Sequence, residues 1–292
     1  MKTKFQSIYR SASILIIVLS LPAVSLAYGY KRVYIHTDAE EEYLAQRAPD
    51  KPESYYFFKG VHFKGYIRDK GLKNTPFIDI AKGMAPHLAK QDYWPAQSKE
   101  TCDLLLVVSW GTTSPRMHRD VSTRLFDDYY DGEYYDNIAG GDYNESDFRW
   151  YGKQRNSKLL GFYPYIRRDK FTGISPSEEY ELRSAMRTER YFIIVTAFDF
   201  KELLNNKQWK RVWSTRFNIR SPGISFQNAH LALSKAGADY FGKKSKDLEH
   251  KRADLDPIFA EVEIGEIEVL ETIDVPKGEG ILNSLRIPDR RR

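Results

Sequence analysis

The densest concentration of chemistry-bearing side chains is one ten-residue stretch: Asp127, Asp128, Tyr129, Tyr130, Asp131, Gly132, Glu133, Tyr134, Tyr135 and Asp136. It holds five acids and four tyrosines. Tyrosine faces stack on sugar rings while carboxylates accept hydroxyl hydrogen bonds, and two of the acids at a suitable separation would make a glycosidase pair. Tested as a calcium loop, the stretch has Asp127, Asp131 and Gly132 at the first, fifth and sixth positions. Tyr129 stands at the third, however, and Ile138 at the twelfth, where a bidentate glutamate belongs. The plainest reading is an exposed acidic loop whose tyrosines cover a sheet edge or a partner. Its acids and tyrosines are the candidate binding residues.

Other reactive side chains point to no catalytic site. Six histidines, at positions 36, 62, 87, 118, 230 and 250, never fall as HxH or HExxH, so no metal site is predicted. Ser109 to Ser114 (SWGTTS) lacks the GxSxG elbow and reads as a turn at a strand end. Cys102 reads as a small buried thiol, with an intermolecular bridge as the alternative. It is the only cysteine, which excludes an intramolecular disulfide, a zinc ribbon and a redox CxxC site. No catalytic residue and no cofactor is assigned.

The elements that must position these residues follow from periodicity. Lys31 to His36 alternates as a strand, and Tyr55 to Ile67 reads as one or two strands broken near Gly60 and Gly65. Thr75-Pro76 starts a helix carrying Phe77, Ile80, Ala81, Met84 and Leu88 at helical spacing, which Pro86 should end or kink. Asp103 to Trp110 (DLLLVVSW) is a continuous apolar run, as expected of a central strand buried on both faces. Residues 111 to about 174 show no sustained period and read as a long insertion of loops. Ser175-Pro176-Ser177-Glu178 forms a capping box, predicting a helix to about Glu189.

Tyr191 to Phe200 and Trp209 to Ile219 read as a hairpin, joined by the turn-forming Asn205 and Asn206. In its second strand Trp213, Thr215, Phe217 and Ile219 alternate with Ser214, Arg216, Asn218 and Arg220, predicting one buried and one wet face. Ser225 caps a helix bearing Phe226, Ala229, Leu233, Ala236 and Tyr240. The charged stretch Lys243 to Arg252 follows, and Phe259 to Leu270 reads as a last strand. Together these predict an α+β domain: a mixed, mostly antiparallel sheet with helices packed on it and a loop-rich insertion.

Composition and charge bound the class. The 292 residues are 41% hydrophobic, 14% aromatic and 29% charged, which suits one or two folded domains. Residues 1 to 27 read as a cleaved signal peptide, with Lys2, Lys4 and Arg10, an apolar centre from Ile14 to Leu21, and Ser25-Leu26-Ala27 at the cleavage site. The apolar stretch Ile14 to Ala27 falls short of the roughly 20 residues a membrane span needs. Lys2, Lys4 and Arg10 carry three of the five net positive charges, which leaves +2, and setting aside Arg290, Arg291 and Arg292 leaves −1. No nucleic-acid footprint remains, and membrane contact is peripheral at most. The expected organisation is a signal peptide over 1–27, one domain over 28–270 with the insertion at 111–174, and a tail over 271–292.

The order of helix, CDLLLVVSW strand, YFIIVTAFDF strand, KRVWSTRF strand and FQNAHLALSKAGADYFG helix resembles domain-of-unknown-function family 4136, over about residues 55 to 245. The resemblance rests on Asp103 leading a hydrophobic strand, Asp199 closing a later one, and the Val212-Trp213 step in its hairpin partner. It implies an α+β domain of the bacterial cell envelope and supplies no catalytic residues. Two departures stand out: the 111–174 stretch is longer than the family pattern, and the lipid-bearing cysteine is missing. The expectation is an exported periplasmic or envelope protein, a non-enzymatic binding or structural component contacting another envelope protein or a glycan. The alternative is a glycan or peptidoglycan hydrolase using carboxylates of the 127–136 loop.

Overall fold

A computed structural model of the chain describes residues 31–48, 51–64, 69–113, 155–166, 174–253, 267, 269–270 and 285. The elements run β1 (Arg32–Ala39), α1 (Glu41–Gln46), β2 (Glu53–Phe63), α2 (Lys70–Asn74), α3 (Phe77–Ala89), β3 (Tyr93–Pro95) and β4 (Leu104–Thr112). They continue with α4 (Tyr163–Ile166), α5 (Pro176–Ala185), β5 (Arg190–Asp199), α6 (Phe200–Asn206), β6 (Arg211–Arg220), α7 (Phe226–Gly237), β7 (Glu249–Arg252) and β8 (Val269–Leu270). Eight strands form one mixed sheet in the order β3-β2-β4-β5-β6-β1-β7, with β8 also paired to β2. The fold is α+β, with helices packed on the sheet.

Each well-patterned segment folds as its residues dictate. β4 is buried along its whole length, between parallel β2 and antiparallel β5. It runs on past Trp110 through Gly111 and Thr112, so the expected turn at Ser109 is strand instead. A Cβ at Gly111 would lie 2.1 Å from the Phe63 carbonyl oxygen, and this is why glycine stands where β2 and β4 approach. Ser109 is a bulge-keeper: its Oγ accepts the Val61 amide at 3.0 Å, where the β2 register slips between Lys59 and His62. β2 is therefore one bulged strand. Pro86 lies inside α3, which ends only at Ala89.

One face of the sheet packs on α3 and α7, where Ile80, Met84, Leu88, Phe226, Ala229 and Leu233 meet Val195, Trp213, Phe217 and Ile219. α7 is capped as expected, the Ser225 side chain accepting the Asn228 amide, and α5 carries the full reciprocal capping box of Ser175 and Glu178.

The other face corrects two expectations. Residues 155–160 and α4 are helical, although they fall in the stretch read as loops. Their Leu159, Leu160, Phe162 and Tyr165 pack with Leu182, Met186, Phe192, Ile194 and Leu285. This second layer covers the polar side of β6, so Ser214, Arg216 and Asn218 of the predicted wet face are buried, while Arg220 at the strand end stays exposed. Its polar groups are met internally: Asn218 Nδ2 donates to the Leu160 carbonyl at 2.8 Å, and Arg216 to the Leu285 carbonyl at 2.9 Å.

The hairpin connection also differs. Asp199 caps α6 by accepting the Glu202 amide, and the helix ends at Lys207 in the left-handed conformation. An aspartate followed three residues later by Glu202 is a helix start, and it outweighed the asparagines. The charged 243–252 stretch supplies β7, which pairs with β1. Of the expected last strand only Val269–Leu270, with Ile267, is described, and these two residues pair with β2. The expected signal peptide lies outside the described residues.

Candidate functional site

The ends of five strands and α1 frame a cleft of about 890 Å³. Antiparallel pairing brings the C-terminal ends of β1 and β5 level with the N-terminal ends of β6 and β4, and β2 starts beside β4. Chain direction thus gathers Asp38, Glu53, Asp103, Asp199 and Arg211 from distant parts of the sequence. α1 adds Glu41, Glu42 and Tyr43.

At its floor Glu53 accepts the Tyr43 hydroxyl at 2.6 Å and faces Arg47 Nε at 3.4 Å. The Tyr43 and Tyr93 oxygens lie 2.8 Å apart, and the Arg47 guanidinium stacks over the Tyr93 ring at 4.4 Å. Burial pushes the Glu53 carboxyl above the usual carboxylate range, and the nearby Asp103 charge adds to this. The Tyr43 hydrogen bond and Arg47 oppose it without cancelling it. Burial also pushes both phenols up, so they stay protonated donors.

Asp103 goes the other way. Burial raises its carboxyl, but the Lys201 ammonium at 2.8 Å and the Ser54 amide and hydroxyl at 3.0 and 2.9 Å outweigh that, and it sits below its ordinary value. Around the rim Lys210 pairs with Glu42 at 3.2 Å and Lys244 with Glu41 at 3.1 Å. Arg211 bridges Asp38 at 3.1 Å and Glu40. The cleft is therefore a mesh of opposite charges, half-open to water. Such a surface can exchange its ion pairs for those of a polar partner.

The candidate residues Asp127, Asp128, Tyr129, Tyr130, Asp131, Glu133, Tyr134, Tyr135 and Asp136 lie outside the described residues. The sequence reading missed Tyr43, Arg47 and Glu53, and it named Asp103 only as the head of a strand. The run Glu40-Glu41-Glu42 was the one local signal of the cleft. Cys102 is fully buried, and burial pushes its thiol up to about 12. His36 meets the Tyr165 hydroxyl at 3.1 Å, and His62 stacks on Trp110. His87 and His230 line a groove between α3 and α7. Among the described residues no three His, Cys, Asp or Glu side chains converge as a metal site would need.

No family model matches the chain, and no curated protein matches it. Among solved structures it is similar to a DUF4136 family protein from Bacteroides thetaiotaomicron, at 15% identity and a TM-score of 0.31, over 71% of this chain and 96% of that one. It is also similar to a PDZ domain protein from Parabacteroides distasonis, at 10% identity and a TM-score of 0.35, over 76% of this chain. The chain spans 39% of that second protein.

Proposed function

We propose that this chain is an exported, non-enzymatic binding protein of the bacterial envelope, related to domain-of-unknown-function family 4136, and that the strand-end cleft holds its partner. The observation that carries the reading is the cleft's rim of exchangeable ion pairs, Lys201 with Asp103, Lys210 with Glu42 and Lys244 with Glu41. Solvent-exposed pairs contribute little to stability, so a partner presenting matching charges can replace them at small cost. Strand addition at the sheet edges is the weaker route. β3 has three residues and ends at Pro95, and β7 is four residues of EHKR, which are the short, charged or proline-ended strands that resist pairing.

Export is supported by the basic, apolar and small-residue order of residues 1 to 27 and by a buried, unreactive Cys102, which suits an oxidising compartment. Family membership is supported by Asp103 leading β4, Asp199 closing β5 and Val212-Trp213 on the paired strand. The partner class is an envelope protein or a glycan.

The test is retention of envelope components by the tagged chain, against the double variant Lys201→Glu, Lys210→Glu and, separately, a variant with residues 127–136 replaced by a Gly/Ser linker. Loss in the first variant alone supports the cleft, and loss in the second alone moves the site to the loop. Retention unchanged in both sinks the binding reading. The hydrolase alternative, with carboxylates of the 127–136 loop, stands only if the chain releases sugars from peptidoglycan and the variant lacking that loop does not.

A further inference from the structure

One wall of the strand-end cleft, residues 41–48, is fixed by its backbone only at its two flanks. Before it the Glu40 amide donates to the Val212 carbonyl at 2.9 Å, and after it the Glu53 amide donates to the Asp92 carbonyl at 2.9 Å. Between these anchors, among the described residues, the backbone bonds only within the segment, Leu44 to Glu40, Arg47 to Tyr43 and Lys51 to Ala48. The six-residue α1 has no side-chain cap from Glu40. A helix so short does not hold itself in water. Burial does not hold it either, because no residue of α1 is buried. Over 41–48 every residue is exposed except Tyr43 and Arg47, which are half-buried.

Those two stand four residues apart, on one face of the helix, and both reach Glu53. The Tyr43 hydroxyl donates to its carboxylate at 2.6 Å, and Arg47 Nε lies 3.4 Å from it. Arg47 Nη2 also donates to the Gln91 carbonyl at 2.6 Å. A Cβ at Gly242 would lie 2.7 Å from Arg47 Nη1, so glycine leaves the room that the guanidinium takes. The remaining ties are the exposed pairs of Glu42 with Lys210 and Glu41 with Lys244, which contribute little. Apart from the Tyr43 ring, which rests against the core, the wall is held by polar contacts, and the strongest of them meet at Glu53.

We propose that residues 41–48 are a strap that opens locally while the sheet stays folded, with Glu53 as its latch. Opening frees Lys210 and Lys244 and bares the Glu53 carboxyl and the Tyr93 hydroxyl at the cleft floor, so the closed strap withholds these groups from a partner. That withholding rests on the cleft being the binding site, whereas the opening itself does not.

The test is hydrogen exchange of the full chain, read amide by amide by NMR at urea concentrations below the unfolding transition. The Leu44 and Arg47 amides should exchange roughly a hundredfold faster than those of Ile35 in β1 and Phe217 in β6, at a rate that urea leaves unchanged, while the sheet amides speed up with urea. Tyr43→Phe keeps the ring and removes the hydroxyl, and it should speed the Arg47 amide roughly tenfold. Leu44→Ala, on the exposed side, should leave that amide as in wild type. If the strap amides share the urea dependence of the sheet, or if Tyr43→Phe exchanges as wild type does, the proposal is overturned. Retention of envelope components reads the withholding: more retained by Tyr43→Phe than by wild type supports it, and equal or less overturns it. No retention by either chain removes the cleft reading and the withholding with it, and the exchange rates still decide the opening.

Discussion

Replacing Asp69 with alanine should loosen three elements at once. Its Oδ1 accepts the Gly71 amide at 2.7 Å, capping α2. Its Oδ2 accepts the Tyr191 hydroxyl at 2.6 Å from β5 and the Phe226 amide at 2.8 Å from the first turn of α7. Ser225 takes the Asn228 amide instead, so Asp69 and Ser225 satisfy different orphan donors of one helix start. A hydrogen bond to a charged acceptor contributes about 1.5–3 kcal/mol. Because Asp69 is only half-buried and water can reach some of the freed donors, the low end applies, and the three bonds together come to about 4–5 kcal/mol. Asp69→Asn keeps one accepting oxygen and should lose about half of that, while Tyr191→Phe removes a single bond. The assay is equilibrium urea unfolding, with Tyr191→Phe and Asp69→Ala combined in a double-mutant cycle. A loss below about 1 kcal/mol for Asp69→Ala, or full additivity of the pair, would refute the reasoning.

Two further outcomes follow from other buried polar groups. Burial lowers His87 and His230 to about 4 from an ordinary 6.5. Between those values the unfolded chain takes up protons that the folded chain refuses, so stability falls as pH drops from 6.5 towards 4. The loss is on the order of 3 kcal/mol per ring at the acid end, and it should flatten in His87→Gln and His230→Gln when unfolding free energy is measured against pH. Ser109→Ala strips the Val61 amide of its acceptor at the β2 bulge. It should lower the urea midpoint by the equivalent of about 1–2 kcal/mol and speed exchange of the Val61 amide, which hydrogen-exchange NMR reads directly.

Legibility in the sequence followed the range of the determining interactions. β4 and α7 were readable because a continuous apolar run and an i, i+3, i+4 stripe state their burial locally, and the box at Ser175 and Glu178 is complete within four residues. The polar side of β6 was misread because its cover, Leu159, Leu160, Phe162 and Leu285, comes from far along the chain in either direction. Alternation there records which groups need hydrogen bonds, and not which are wet. β7 was missed because an edge strand is held by its backbone and needs no apolar side chains. The cleft was invisible for the same reason at larger scale, since Glu53, Asp103 and Arg211 become neighbours only once the strand order is set.

That strand order also sets a timetable. β1 is the first described strand of the chain, yet its partners among the described residues are β6 and β7. Val33 waits for Ile219, and no neighbour for its backbone exists until that distant stretch has been made. Closing so long a loop is slow, and the transition state must assemble β-pairings of high contact order. In a chain that emerges from its amino terminus, the apolar side of β1 is therefore the earliest surface in need of protection and among the last to be covered.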